Sequence, residues 1–107
     1  MPRVFVTNKG GHDYAAARPF GELVFISDGL LDKRQIAHMY RLCHDAMADS
    51  HEQDLILLTS LTSLCSVAAA YFAHKHGRLN LLVWHQGSYI DRHIVFNGAH
   101  NEESTDE

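Results

Sequence analysis

Residues 54–84, DLILLTSLTSLCSVAAAYFAHKHGRLNLLVW, contain the pattern that decides the fold. The run Leu55–Leu58 is apolar without a break, which is typical of a strand covered on both faces. A turn rich in hydroxyl groups follows, then an apolar helix from about Thr62 to His76, and then a second apolar strand, Leu79–Trp84. This succession of strand, helix and strand predicts a parallel sheet of the α/β class, with Leu55–Leu58 near its centre.

Three further strands extend this sheet. We predict two of them before the central segment, at Arg3–Thr7 and Glu22–Ser27, and a third at Tyr89–Phe96 after a hairpin turn. The partial alternation of Tyr89–Phe96 is typical of an edge strand with one solvated face. The expected fold is therefore one small Rossmann-like α/β domain, residues 1–97, with a mixed, mostly parallel sheet of about five strands and two main helices.

The two predicted helices differ in how much of their surface is apolar. The first is expected to begin near Asp32, because Asp32 and Gln35 match a capping box. The second carries apolar residues around much of its circumference, including Val67 and Tyr71 beside the main stripe. Such a helix needs cover on more than one side. One small sheet supplies only part of that cover, so we expect a homodimer or a higher homo-oligomer.

Composition excludes several classes of protein. The chain has 107 residues and a formal net charge of −4, which argues against an extended nucleic-acid surface. No apolar run is long enough to span a membrane. The first residues lead directly into a strand rather than a secretory signal, and the two cysteines fall on apolar helical stripes as thiols, so we expect a cytoplasmic protein. The acidic residues 98–107 are expected to be disordered.

Two polar loops are predicted to meet at one edge of the sheet. The first, with the pair Gly10-Gly11, follows the first strand, and the second is the hydroxyl turn after Leu58. Because the carboxyl ends of parallel strands share an edge, both loops should border one crevice, where open α/β sheets bind ligands. Hydroxyl groups at the start of a helix can cap it or help to hold an anion. The predicted ligand-binding residues are Thr7, Asn8, Lys9, Gly10, Gly11, His12, Thr59, Ser60, Thr62 and Ser63.

Candidates for catalysis are fewer. Nine histidines are present, but none lies at metal-ligand spacing from suitable partners, so we predict neither a metal nor a cofactor. No serine or cysteine lies in a nucleophile elbow. If the protein is an enzyme, His12 beside Asp13 is the candidate general acid or base. Tyr14, Trp84 and Tyr89 could each stack on a base, although packing within the core or hairpin is the more frequent role of such residues.

The segment from Asp54 to Trp84 resembles part of the CRISPR-associated Rossmann-fold (CARF) domains. In that family an apolar strand leads into a Thr-Gly-Gly-Thr-Lys turn, an Ala-rich helix and another strand. Thr59 and Thr62 occupy the positions of the two threonines, whereas Ser60 and Leu61 replace the glycines and Ser63 replaces the lysine. The resemblance implies a dimeric sensor of cyclic oligonucleotides, some members of which also cleave their ligand.

Three functions are compatible with these observations. The first is binding of a nucleotide-like, phosphate-bearing small molecule, such as a cyclic oligonucleotide signal, without turnover. The second is a metal-independent phosphodiesterase, or ring nuclease, that cleaves such a ligand. The third is a protein-interaction module or inhibitor. Binding without turnover is favoured, because the sequence offers no evident nucleophile or metal site.

Overall fold

The computed structural model describes residues 1–11 and 13–96, and these form five strands, two α-helices and one 3-10 helix. The predicted α/β class, with a mixed five-stranded sheet and two main helices, is confirmed. Residues 98–107, for which we expected disorder, lie outside the described residues. In chain order the elements are β1 (Arg3–Val6), the 3-10 helix (Ala15–Phe20), β2 (Glu22–Phe25), α1 (Ile36–Met47), β3 (Leu55–Leu57), α2 (Thr62–His76), β4 (Arg78–His85) and β5 (Ser88–Val95).

The sheet has the order β2-β1-β3-β4-β5, so β3 is its central strand, as its unbroken apolar run predicts. Strands β1 to β4 pair in parallel, with Phe5 opposite Ile56 and Ile56 opposite Leu81. Strand β5 pairs antiparallel with β4 along the whole length of both. The hairpin between them turns on Gln86 and Gly87, whose φ angles of 49° and 88° suit a two-residue hairpin turn.

Alternation along the central strands divides the core between the two faces of the sheet. Phe5 and Ile56 point to the face covered by α1 and α2, where they pack with buried residues of both helices. Val6, Leu57 and their alternating neighbours point to the other face, where the segment that contains the 3-10 helix covers them. The helices therefore lie on one side of the sheet, and the connection from β1 to β2 lies on the other.

The start of α1 differs from the prediction. The helix begins at Ile36, four residues after Asp32, and the side chain of Gln35 forms no capping hydrogen bond. Instead, the Asp32 carboxylate accepts hydrogen bonds from the backbone N–H of Arg34 at 3.0 Å and from the Arg34 guanidinium group. The predicted capping box is therefore wrong, because the nearby Arg34 occupies the carboxylate that would have capped the helix.

The bounds of α2 agree with the prediction, but its N-terminal cap does not. Gly77 ends the helix in the left-handed conformation, with φ of 69°, and its N–H donates to the carbonyl oxygen of Ala73 at 2.8 Å. At the other end the N-cap residue is Leu61, and no side chain caps the helix. Of the two roles open to the hydroxyl groups of this turn, capping of the helix is therefore not observed. Among the described residues, no helix is long and apolar enough to cross a membrane.

Candidate ligand-binding site

The connections that follow β1 and β3 leave the sheet on opposite faces. These strands are parallel neighbours, and the chain continues from β1 over the face of the 3-10 helix but from β3 into α2 on the other face. A divergence of this kind is the topological switch point at which open α/β sheets bind ligands. Thr7 and Thr59 follow the two strands, and their Oγ1 atoms lie 2.9 Å apart. The structure thus brings the two predicted loops together at this edge.

Thr7 lies beneath the edge rather than on it. Its side chain is fully buried, and its Oγ1 contacts the Sγ of Cys65 at 3.4 Å and accepts a hydrogen bond from the backbone N–H of Thr59 at 3.2 Å. The Cys65 thiol in turn donates to the carbonyl oxygen of Thr59 at 3.3 Å. These contacts fix the position of Thr59, so Thr7 supports the site through its neighbour.

A crevice of about 350 Å³ opens above this contact. Leu57, the last residue of β3, and Leu58 line it, and the turn that follows contributes Thr59 and Ser60. Two further segments complete the lining, the residues before the 3-10 helix and the tip of the β4–β5 hairpin. They contribute Asp13, Tyr14, Trp84 and Tyr89.

Aromatic rings dominate the hairpin side of the crevice. Trp84 and Tyr89 are directly opposite on β4 and β5, and their rings meet edge to face with centroids 4.8 Å apart. Trp84 remains 57% exposed, so much of its ring surface is open to a ligand. Burial, followed by the proximity of Tyr14, raises the pKa of the Tyr89 hydroxyl above its usual range, so it remains a hydrogen-bond donor at neutral pH.

Asn8 and Lys9 are directed to the loop after β2 instead of this crevice. The Asn8 amide donates to the carbonyl oxygen of Gly29 at 3.1 Å and accepts a hydrogen bond from the Ser27 hydroxyl at 2.8 Å. The backbone N–H of Lys9 donates to the carbonyl oxygen of Ser27 at 2.8 Å. The Lys9 ammonium group lies 5.3 Å from the centroid of the Phe25 ring. Contacts of both residues therefore hold the first loop against the end of β2 and the loop that follows it.

The glycine pair is exposed beside these residues. At Gly11 an added Cβ would meet nothing within 4 Å, and its φ lies outside the left-handed region. Neither the described neighbouring atoms nor the backbone conformation therefore requires glycine at this position. His12, the candidate general acid or base, lies outside the described residues.

Thr62 and Ser63 lie in the first turn of α2 and do not line the crevice. Thr62 is exposed, whereas the Oγ of Ser63 is buried and has no hydrogen-bond partner among the described residues. The first N–H groups of a helix have no partner within it, and this first turn contains no acidic residue and no side-chain cap. The helix therefore begins two residues after Ser60 with free N–H groups and a positive dipole end.

Sequence reasoning named the hydroxyl side of the crevice but did not include its other residues in the site. Asp13 entered only as a neighbour of His12, and Trp84 and Tyr89 entered only as possible stacking residues. The signal that could have found them is the short turn after β4, since an antiparallel β5 returns Tyr89 to the carboxyl end of β4, one strand from Thr59.

Two larger depressions lie elsewhere on the surface, each of about 700 Å³. One is at the amino edge of the sheet and is bordered by the loop 50–54 and His76. The other is a groove between α1 and α2 whose apolar lining includes Ile36, Tyr40 and Tyr71. Among residues 1–11 and 13–96, no group of three or more His, Cys, Asp or Glu side chains could hold a metal ion. The switch-point crevice is smaller than either depression, but the fold concentrates mixed polar and aromatic groups in it.

The chain matches the model of a protein family. The model of the family described as "Phage Pam3 gp32-like protein" matches residues 2–97. The chain belongs to this family. The match spans all five strands and both α-helices. No curated protein and no solved structure matches the chain.

Proposed function

We propose that the protein binds a small nucleotide-like, phosphate-bearing molecule in the crevice between the β3 turn and the β4–β5 hairpin, without turnover. The observation that carries the proposal is the switch point between β1 and β3, because it opens hydroxyl groups, aromatic rings and a helix N-terminus at one edge. This combination suits a ligand with a planar base at one end and an anionic group at the other.

The anionic end belongs at the turn after β3. The hydroxyls of Thr59 and Ser60 border the crevice there, and α2 begins two residues later. Free N–H groups at the start of a 15-residue helix favour a phosphate through hydrogen bonds and through the helix dipole. The hydroxyl groups of Thr59 and Ser60 would bind the phosphate directly, since no lysine or arginine lines the crevice, and the nearby positive end of the α2 dipole would favour the negative charge.

The base belongs at the hairpin. The exposed ring of Trp84 is held edge to face by Tyr89, and its open surface is available for stacking. Stacking of a base on an aromatic side chain is worth about 1–3 kcal/mol and tolerates any base. The Tyr89 hydroxyl is a further hydrogen-bond donor on the same side of the crevice.

The size of the crevice limits the ligand. Its volume of about 350 Å³ lies at the lower end of the range for small-molecule sites, roughly 300–1000 Å³. One protomer would therefore take a mononucleotide unit, and a cyclic oligonucleotide would need the crevices of two protomers.

We also propose a homodimer. The candidate interface is the apolar groove between α1 and α2, where Ile36 is 49% and Tyr40 52% exposed.

We place this activity in the cytoplasm. Cys43 and Cys65 are both free, and burial, with a smaller contribution from nearby Cys65, raises the pKa of Cys43 to about 12. Free cysteines of this kind are usual in a reducing compartment.

The test compares two neighbouring residues on β4. Nucleoside monophosphates and cyclic dinucleotides are titrated by calorimetry into the parent, Trp84→Ala and Val83→Ala, and each mixture is analysed by mass spectrometry for cleaved products. Val83 is the matched control, because it is 39% exposed and its side chain points to the opposite face of the sheet. We expect Trp84→Ala to weaken binding by about 1–3 kcal/mol, and Val83→Ala to bind as the parent does.

Three results would contradict the proposal. If the parent retains none of the nucleotides, the crevice is not a nucleotide site. If both variants bind as tightly as the parent, the ligand lies elsewhere on the molecule. If the nucleotide is converted to product, the protein is the phosphodiesterase of our alternative hypothesis rather than a binding protein.

A further inference from the structure

We propose that the ligand's base is guanine, recognised through its two adjacent N–H donors by the carboxylate of Asp13. This inference rests on the proposed function, since it concerns the same crevice, and it names which nucleotide that crevice selects. Asp13 lines the same crevice as Trp84 and Tyr89, the residues at which the base would stack.

Asp13 is held in place by its own chain. Its Oδ1 accepts a hydrogen bond from the backbone N–H of Ala15 at 2.9 Å, at the start of the 3-10 helix. This local bond fixes the side chain as in an Asx-turn and leaves Oδ2 without a hydrogen-bond partner among the described residues. A carboxylate has about four acceptor positions, so most of the acceptor capacity of Asp13 is open.

Among residues 1–11 and 13–96, no cation forms an ion pair with Asp13. The ion pairs of the described residues join Arg3 to Asp49 and Asp54, and Arg34 to Asp32. An unpaired carboxylate repels a phosphate and attracts hydrogen-bond donors. The ligand is therefore oriented with its phosphate at the Thr59 and Ser60 turn and a donor-bearing edge at Asp13.

Among the common bases, guanine satisfies this requirement best. Its N1–H and its N2 amino group are adjacent donors, which match the two oxygens of a carboxylate. In adenine and cytosine the amino group lies beside a ring nitrogen that accepts, and in uracil a single N–H lies between two carbonyl oxygens. An acceptor placed against the carboxylate is repelled, so these bases lose a hydrogen bond and leave a polar group unpaired.

The experiment measures base preference in the parent and in two variants. GMP, IMP, AMP and guanosine are titrated by calorimetry into the parent, Asp13→Asn and Asp28→Asn. IMP retains the N1–H but lacks the N2 amino group, and guanosine lacks only the phosphate. Asp28 is the matched control, because it is also an exposed loop aspartate at this edge but does not line the crevice. Melting curves confirm that each variant is folded.

We expect the parent to bind GMP about tenfold more tightly than AMP, with IMP between them. Asp13→Asn should remove this preference and Asp28→Asn should retain it. Equal affinity for GMP and AMP in the parent, or a preference that survives in Asp13→Asn, would overturn the guanine assignment and leave the proposed function standing. If GMP binds no better than guanosine, the phosphate part of the proposed function fails separately. If no nucleotide binds, both proposals fail.

Discussion

The two edges of the sheet use their polar groups in opposite ways. At the amino edge, Asp54 and Asn80 are buried, and their side chains bind backbone groups of neighbouring segments. At the carboxyl edge, Thr7 is hydrogen-bonded to Thr59, whereas the hydroxyl turn, Asp13 and the aromatic hairpin line a crevice. Polar groups that satisfy one another stabilise a fold, and groups left open can bind a ligand. In this sheet, the polar groups of the amino edge stabilise the fold, and those of the carboxyl edge are open to a ligand.

Asp54 is the centre of the amino edge. The residue is 2% exposed, and its carboxylate accepts hydrogen bonds from the backbone N–H groups of Arg3 at 2.9 Å and His51 at 2.8 Å. Asn80 of β4 donates to the carbonyl oxygens of Glu52 at 2.7 Å and Asp54 at 2.8 Å. One loop is thus tied to the first residues of β1 and to β4, on either side of β3.

The largest effect should therefore follow from a change at Asp54. Asp54→Ala leaves two backbone N–H groups without partners and removes a buried carboxylate beside Arg3, which should lower the free energy of unfolding by about 3 kcal/mol. For a domain of this size, such a loss lowers Tm by more than about 10 °C. Urea denaturation and calorimetry measure both quantities.

Asp49→Ala is the control for this prediction. Asp49 also pairs with Arg3, at 3.2 Å, but its side chain is 82% exposed. Its loss should change Tm far less than the loss of Asp54, because exposed ion pairs add little. Equal effects of the two substitutions would mean that Arg3, and not the buried carboxylate, organises the amino edge.

A smaller effect at the same edge should depend on pH. His76 Nε2 lies 2.8 Å from the Ser50 hydroxyl, and its ring packs on Phe72 with centroids 4.5 Å apart. Burial, and then the charge of Lys75, lowers the pKa of His76 below its ordinary value of 6.5, against a partial opposing effect of nearby carboxylates. The unfolded chain therefore binds a proton more readily than the native protein does.

This difference fixes the sign of the pH dependence. The stabilising contribution of His76 is complete above its unfolded pKa, near 6.5, and is lost as the pH falls through the lower native pKa. We expect Tm to decline between pH 7 and pH 5 more steeply in the parent than in His76→Gln. His74→Gln, a change two residues earlier at an exposed position, should leave the slope unchanged. Identical slopes in the parent and His76→Gln would show that other groups govern the decline.

The same contrast explains how much the sequence could predict. Strand β3 and helix α2 depend on local apolar patterns, so their positions were predicted to within one residue. The meeting of Thr7 with Thr59 followed from the expectation that parallel strands end at one edge. The hairpin side of the crevice also depends on the position of β4 beside β3, which no local pattern specifies. The N-terminal caps of α1 and α2 depend on three-dimensional contacts, such as that of Arg34 with Asp32, which the local sequence does not specify.

The smallest predicted effect lies at the carboxyl edge and distinguishes the two possible roles of the hydroxyl turn, which are capping of α2 and binding of an anion. From the sequence, Thr62 could be a helix cap, and the loss of a capping hydroxyl costs about 1 kcal/mol. In the structure Thr62 is the first residue of α2, its side chain is exposed, and no side chain caps the helix. Thr62→Ala should therefore change the free energy of unfolding by less than about 0.5 kcal/mol, as is usual for a surface substitution.

Thr59→Ala provides the contrast. This substitution removes the hydrogen bond to Thr7 and should lower the free energy of unfolding by about 1 kcal/mol. If urea denaturation instead shows the larger loss for Thr62→Ala, its hydroxyl does cap α2 in solution. The first N–H groups would then be occupied, and the helix N-terminus would no longer be free to bind a phosphate.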